Sequence, residues 1–272
     1  MAASWKGSIS FGLVNIPVEL HVAVSENRPH FRLLHAKDKS PVSYERVCQR
    51  ENKPVEWKDL VKGYEHSKGK FVVLTKEDLK AVAVQRSQTV EILDFVKHEQ
   101  IDDRFFDTPY YAVPGKGGER GYAVLREAIR KSGRLGIGKI VMRDREHLAA
   151  LGVVDDALVL TLMRFANELV DADRFKFPGQ RDVRPKELQM ATMLVDSLAD
   201  DWKPEKYKDD YQANLMRVIK AKLRGEELEV EAEPKPPKGE VVDLMERLRQ
   251  SLEARGKGAA RAHGTRRKRR AA

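Results

Sequence analysis

The feature that most limits what this chain can fold into is a run of short segments rich in β-branched and aromatic residues. SISFGLVNIPVELHVAV (8–24), KFVVL (70–74), QTVEILDFV (88–96), TPYYAV (108–113), GKIVMR (138–143) and ALVLTLM (157–163) all have this character. Each reads as one short strand, except the first, which reads as two strands or one kinked strand. Pro17 cannot donate to a ladder, so it is expected at an edge or a bulge. Strands this short and this close favour a barrel or a sandwich. One helix interrupts them: GYAVLREAIRKSG sets Val124, Leu125, Ala128 and Ile129 at helical spacing and stops at Gly133. Thr75 and Asp78 form a capping-box pattern ahead of a short helix over LKAVAV. The fold class is α+β, mainly β.

Between the first strands and KFVVL, residues 30–70 are polar and lack long apolar runs, which predicts short hairpins on an extended excursion. After FPGQRDVRP the period changes. Leu188, Ala191, Val195 and Leu198, then Tyr211, Leu215, Val218 and Leu223, recur at helical spacing, with Gly225 as a stop. EAEPKPPKGE (231–240) reads as an extended linker. In the following segment Val241, Leu244, Met245, Leu248 and Leu252 form one apolar stripe with nothing nearby in sequence to cover it, so it needs a partner surface. The expected organisation is a core over 1–230 with the excursion at about 30–70 and a helical arm at about 185–225. A linker over 231–240, an amphipathic helix over 241–254 and a disordered basic tail over 255–272 follow it.

Charge sharpens this division. The net charge of +9 is distributed as +6 over residues 1–150, −5 over 151–254 and +8 over 255–272. A polyanion would therefore meet two basic surfaces, one in the fold and one on the tail. A solubility tail on a neutral domain gives the same composition. No apolar run approaches the length of a membrane span, and the N-terminus lacks a signal-peptide layout, which predicts a cytoplasmic protein. A single cysteine, Cys48, agrees with a reducing compartment.

The residues give little sign of chemistry. The seven histidines make no HExxH pair and no Cys/His cluster, so no metal or cofactor is expected, and no catalytic residue is assigned. PGKGGERG (114–121) lacks the GK[ST] ending of a phosphate-binding loop; it reads as a flexible turn presenting Lys116 and Arg120, or as a plain exposed hairpin. Asp102 with Asp103 and Asp155 with Asp156 are explained by turns more simply than by metal-dependent nuclease chemistry. Tyr44, Trp57 and Tyr64 interleave with the cations of the excursion, but their irregular spacing lacks a base-stacking signature; dimer or core contacts account for them better.

Several blocks, in order, resemble the bacterial Ku family: WKGSISFGLVNIPVEL (5–20), LVKGYE (60–65), FFDTPYYAVP (105–114), YAVLREAI, IGKIVMRDREHLAAL, MATMLVDSL, the W-x-P-E-K-Y-x-D-x-Y run at 202–211, and VVDLMERLRQSL. The resemblance covers nearly the whole chain. It implies a core β-barrel with a projecting bridge, two copies of which close a ring around the ends of double-stranded DNA. It also implies a DNA ligase as partner, contacted in part through Val241, Leu244, Met245, Leu248 and Leu252, and a cytoplasmic, nucleoid-associated location. A ring that accepts any end should touch phosphate rather than base edges. The candidates within the fold are Arg28, Lys37, Lys39, Arg46, Arg50, Lys53, Lys62, Lys116 and Arg120. On the tail they are Arg255, Lys257, Arg261, Arg266, Arg267, Lys268, Arg269 and Arg270. An end-processing nuclease or lyase and a nucleoid-type architectural binder are the competing readings.

Overall fold

The computed structural model describes residues 2–25, 28–81, 88–143, 145–179, 183–226, 245–246, 248–249 and 251. They belong to two compact units, residues 1–172 and 173–272. No helix among the described residues is long and apolar enough to cross a membrane.

The first unit is a closed seven-strand barrel. Strands β1 (Trp5–Phe11), β2 (Val14–Val22), β5 (Thr89–Lys97), β6 (Phe106–Pro114), β7 (Arg134–Met142), β8 (Arg145–Val154) and β9 (Ala157–Met163) run in the order β1-β2-β6-β9-β8-β7-β5. Every pairing is antiparallel except β1 with β5, which closes the barrel in parallel. The reason is topological: the chain leaves the barrel after β2 and returns at β5 only after a long excursion, and parallel neighbours need such a crossover. Period-two alternation turns Ile16, Val18 and Leu20 of β2 inward, where they join Ile9, Val90, Ile140, Leu151, Leu158 and Leu160 in one apolar core.

Pro17 sits inside β2, not on an edge strand, yet costs the sheet nothing. Its carbonyl accepts from Gly115 N–H at 2.8 Å, so its nitrogen faces the same side, where β6 has just ended at Pro114. The β1–β5 seam is held by Ser8 N–H donating to Gln88 O at 2.9 Å, and by Trp5, whose Nε1–H donates to Val141 O at 3.0 Å.

Helix α2 (Glu119–Ser132) packs on β2, β7 and β8 and ends at Gly133, whose φ of 64° is the left-handed conformation of a helix stop. Its buried face is Tyr122, Leu125 and Ile129: Leu125 and Ile129 lie inward as their spacing predicts, but Val124 is 65 % exposed and Ala128 is exposed. Tyr122 replaces Val124 because its hydroxyl has a task, accepting the buried Leu158 N–H at 2.7 Å. Removing it by Tyr122→Phe orphans that donor, and we expect a loss of about 1–3 kcal/mol in urea unfolding. An unchanged urea midpoint would mean that the bond is not needed.

Helix α1 (Lys76–Ala81) starts at the Thr75–Asp78 capping box, with Thr75 N–H and Oγ1 on the Asp78 carboxylate and Asp78 N–H on Thr75 Oγ1. These bonds hold the Asp78 carboxyl below its ordinary value, the backbone bond contributing most. The predicted extension to residue 84 lies outside the described residues. The second unit contains α3 (Pro185–Leu198) and α4 (Asp210–Leu223), the latter capped by the Asp209 carboxylate accepting from Gln212 N–H at 2.9 Å. Gly225, with φ 75°, follows α4.

Candidate nucleic-acid interface

Residues 28–81 leave the barrel as a ribbon with no buried side chain. Two small hairpins come first. One pairs Leu34 with Pro41 around a turn in which the Asp38 carboxylate accepts from Ser40 N–H, Ser40 Oγ–H and His35. Those bonds, the backbone one foremost, hold the Asp38 carboxyl below its ordinary value. The other hairpin pairs Val47 with Pro54; Cys48 N–H donates to Lys53 O and Asn52 N–H donates to Cys48 O, which gives Cys48 a turn-forming place. A third hairpin, β3 (Lys62–Ser67) with β4 (Lys70–Leu74), matches Lys62 to Leu74 and Tyr64 to Val72 on one face. Phe71 and Val73 occupy the other.

The ribbon is basic, with thirteen Lys and Arg against eight Asp and Glu, a net +5. Six of the thirteen cations described in the barrel are committed to ion pairs: Lys6 with Glu19, Arg104 with Asp102, Arg126 with Glu127, Arg130 with Glu127 and Asp156, Lys139 with Glu146, and Arg164 with Asp107. On the ribbon, Lys58 is paired with Glu56. Among the described residues Arg28, Lys37, Arg50, Lys53 and Lys62 show no ion pair, and all five are exposed. They are therefore available to an external anion.

Two favoured residues are partly engaged within the ribbon. Lys39, at φ 60°, turns its ammonium back onto Ala36 O at 2.7 Å. Arg46 lies over the Trp57 ring, 4.5 Å from its centroid. Arg32, Lys68 and Lys70, not favoured from sequence, are as exposed as those that were. Choosing among such cations needs the ribbon's path, which spacing does not encode. The aromatic residues are not core: Tyr44 is 83 % and Trp57 73 % exposed.

Lys116 and Arg120 are exposed on the barrel, away from the ribbon in the chain. Their glycine-rich turn is pinned rather than flexible. Gly115 N–H donates to Pro17 O and Gly118 N–H to Gly115 O, and a Cβ on Gly118 would stand 2.7 Å from Pro17 O. The glycines are there for close backbone packing, with no cradle for a phosphate implied.

The acidic pairs are structural. Both Asp102 oxygens accept from the Arg104 guanidinium, which holds that carboxyl down at about 2. The carbonyls of Asp155 and Asp156 accept from Arg130 and Arg126 of α2, and this ties the β8–β9 turn to the helix. Among the described residues no group of three His, Cys, Asp or Glu side chains is placed to hold a metal ion. The tail candidates at 255–270, and Val241, Leu244 and Leu252 of the apolar stripe, lie outside the described residues. Met245 and Leu248 are helical and half-buried.

A family model described as the Ku70/Ku80 beta-barrel domain matches residues 10–190. A protein of Opitutus terrae is 45 % identical over 261 residues, covering 95 % of this chain and 94 % of its own length. One from Coxiella burnetii is 38 % identical, with 96 % and 98 % covered, and one from Bacillus subtilis is 40 % identical, with 93 % and 82 % covered. Each of the three is named non-homologous end joining protein Ku.

Proposed function

We propose, from the premise that this chain belongs to the Ku family of non-homologous end joining proteins, that it binds the ends of double-stranded DNA as a homodimeric ring. The observation that carries this is the ribbon over 28–81, basic and without a buried residue. A two-stranded hairpin with apolar side chains on both faces is marginal by itself. Phe31, Leu33, Val61, Tyr64, Phe71 and Val73 are uncovered in the single chain. A second copy covering them would stabilise the ribbon by removing apolar surface from water, at about 25 cal/mol per Å². The closed pair would then present unpaired cations to the phosphate backbone.

The reading assigns the chain no catalysis of its own. Arg28, Lys37, Lys39, Arg46, Arg50, Lys53 and Lys62 line the opening, Lys116 and Arg120 add contacts from the barrel, and the tail cations add a second, sequence-independent attraction. The protein then acts in the cytoplasm, at the nucleoid. The test is binding to one sequence, as a linear duplex and as a covalently closed circle, at fixed salt, with the full chain and with a version ending at Ala254. Preference for the linear form in both versions supports the ring. Equal binding to the circle, lost on truncation, makes the tail the DNA-binding element and ends the ring reading.

A DNA ligase is the proposed downstream partner, docking on the stripe of Val241, Leu244, Met245, Leu248 and Leu252. A helix that offers one apolar face binds by burying it, and an anchor changed to a charge typically costs about 2 kcal/mol or more. Leu244→Asp with Leu248→Asp is therefore expected to lower ligase stimulation by roughly 30-fold or more while end binding is kept. Equal loss of both activities would assign the stripe to the fold.

A further inference from the structure

Arg46 and Trp57 flank one small hairpin of the ribbon. Val55 N–H donates to Arg46 O at 2.8 Å and Val47 pairs with Pro54, which closes the hairpin. Just past it the chain turns through Trp57–Asp59, with Leu60 N–H on Trp57 O at 3.3 Å. Those main-chain bonds bring the guanidinium over the indole, 4.5 Å from the ring centroid. The charges on either side of the ring are spent on each other, Lys58 on Glu56 at 2.6 Å. Among the described residues no carboxylate or carbonyl accepts from the Arg46 side chain, and the ring is its one recorded partner. An unrestrained arginine gives up most of its rotamer freedom when a phosphate fixes it. Here the ring has already restricted that freedom, and the N–H donors stay available as a planar fork for two phosphate oxygens. Lys39 is the contrast: its ammonium is held by Ala36 O at 2.7 Å, an acceptor that competes with a phosphate.

Resting on the end-binding reading, we propose that Trp57 is a positioning residue for DNA: its indole holds the Arg46 guanidinium ready for a backbone phosphate. Trp57 then raises affinity through Arg46 without touching DNA. The contribution is independent of sequence, because the contact it prepares is with phosphate and not with a base edge. It also requires arginine at position 46, since a lysine ammonium supplies the charge but neither the planar fork nor the same attraction to the ring.

The test is a double-substitution cycle on the full chain, read as affinity for a linear duplex and for a covalently closed circle of one sequence across a range of salt. Arg46→Ala removes a cation from each copy and is expected to flatten the slope of log affinity against log salt by about 0.9 per copy. Trp57→Leu keeps the cation, so it is expected to weaken linear-duplex binding by about 5- to 30-fold, over two copies of the stack, at an unchanged slope. Trp57→Phe keeps a ring and is expected to recover much of that loss. In a chain that already carries Arg46→Ala, Trp57→Leu is expected to have no further effect. A Trp57→Leu loss that is equal with and without Arg46 overturns the assignment, because the indole would then support the hairpin or touch DNA itself. Arg46→Ala binding as the wild type does also overturns it. So does a dimer weakened by Trp57→Leu in sedimentation, which would place the indole between copies. A wild type that binds the circle as well as the linear duplex removes the end-binding reading, and the assignment with it.

Discussion

Reversing the charge at Lys37, Arg50, Lys53 and Lys62 together is expected to lower the affinity for a linear duplex by on the order of 10³-fold or more at about 0.1 M salt. Each phosphate neutralised releases counterions and adds roughly 0.9 to the slope of log affinity against log salt. Four lost contacts therefore remove about four decades in the ideal case and flatten the slope by three to four. These side chains are exposed and unpaired among the described residues, so the fold should not suffer, and the thermal midpoint serves as the control. The same substitutions should weaken all sequences alike, since phosphate contacts carry no base information. An affinity that stays within about threefold at unchanged slope would remove the ribbon from the interface and transfer the contact to Lys116, Arg120 or the tail.

Gly7→Ala is expected to have the largest effect on stability, about 3 kcal/mol. A Cβ there would stand 2.1 Å from Gln88 O and 2.4 Å from the Trp5 ring. Neither neighbour can yield cheaply. Gln88 O accepts the Ser8 N–H that closes the barrel, and Trp5 is held by Val141 O across the seam. The substitution must therefore open the β1–β5 pairing or expel the indole, and for a unit of this size it should lower the melting temperature by about 6–12 °C. Gly12→Ala is the comparison: φ is +56° but nothing lies within 4 Å, so only backbone strain of about 1 kcal/mol applies. Equal effects at the two positions would show that conformation, not the crowded seam, sets the glycine requirement.

Where the sequence and the fold part company, long-range packing decides. β8 carries no strand signal: REHLAALGVV opens on polar residues, and Ala149, Ala150 and Leu148 favour helix intrinsically. It is a strand because β7 and β9 pair with it on both sides and because Ala149–Gly152 are buried, partly beneath α2, where small side chains fit. On α2 itself, the period was legible but the face was rotated: helical spacing admits Val124 or Tyr122 equally, and only the position of the Leu158 N–H selects the tyrosine. The PGKGGERG turn was read for its cations, whereas its glycines answer to Pro17, nearly a hundred residues earlier.

The sequence by itself determined the local matters: which segments are strands where β-branched and aromatic residues dominate, where α1 is capped and α2 stops, the basic character of the ribbon, and membership of the family. These follow from backbone preference, side-chain period and charge, all of which act within a few residues. Tertiary structure alone decided the closure of the barrel through a parallel seam, the role of Gly7 beneath Trp5, and which cations are spent on neighbouring carboxylates and which stand unpaired. The seam and the Gly7 contacts depend on atoms brought together from distant parts of the chain, as do pairs such as Lys6 with Glu19 and Arg164 with Asp107, and even near neighbours such as Asp102 and Arg104 pair only because the turn aims one at the other; steric exclusion and ion pairing at that range leave little local pattern to read.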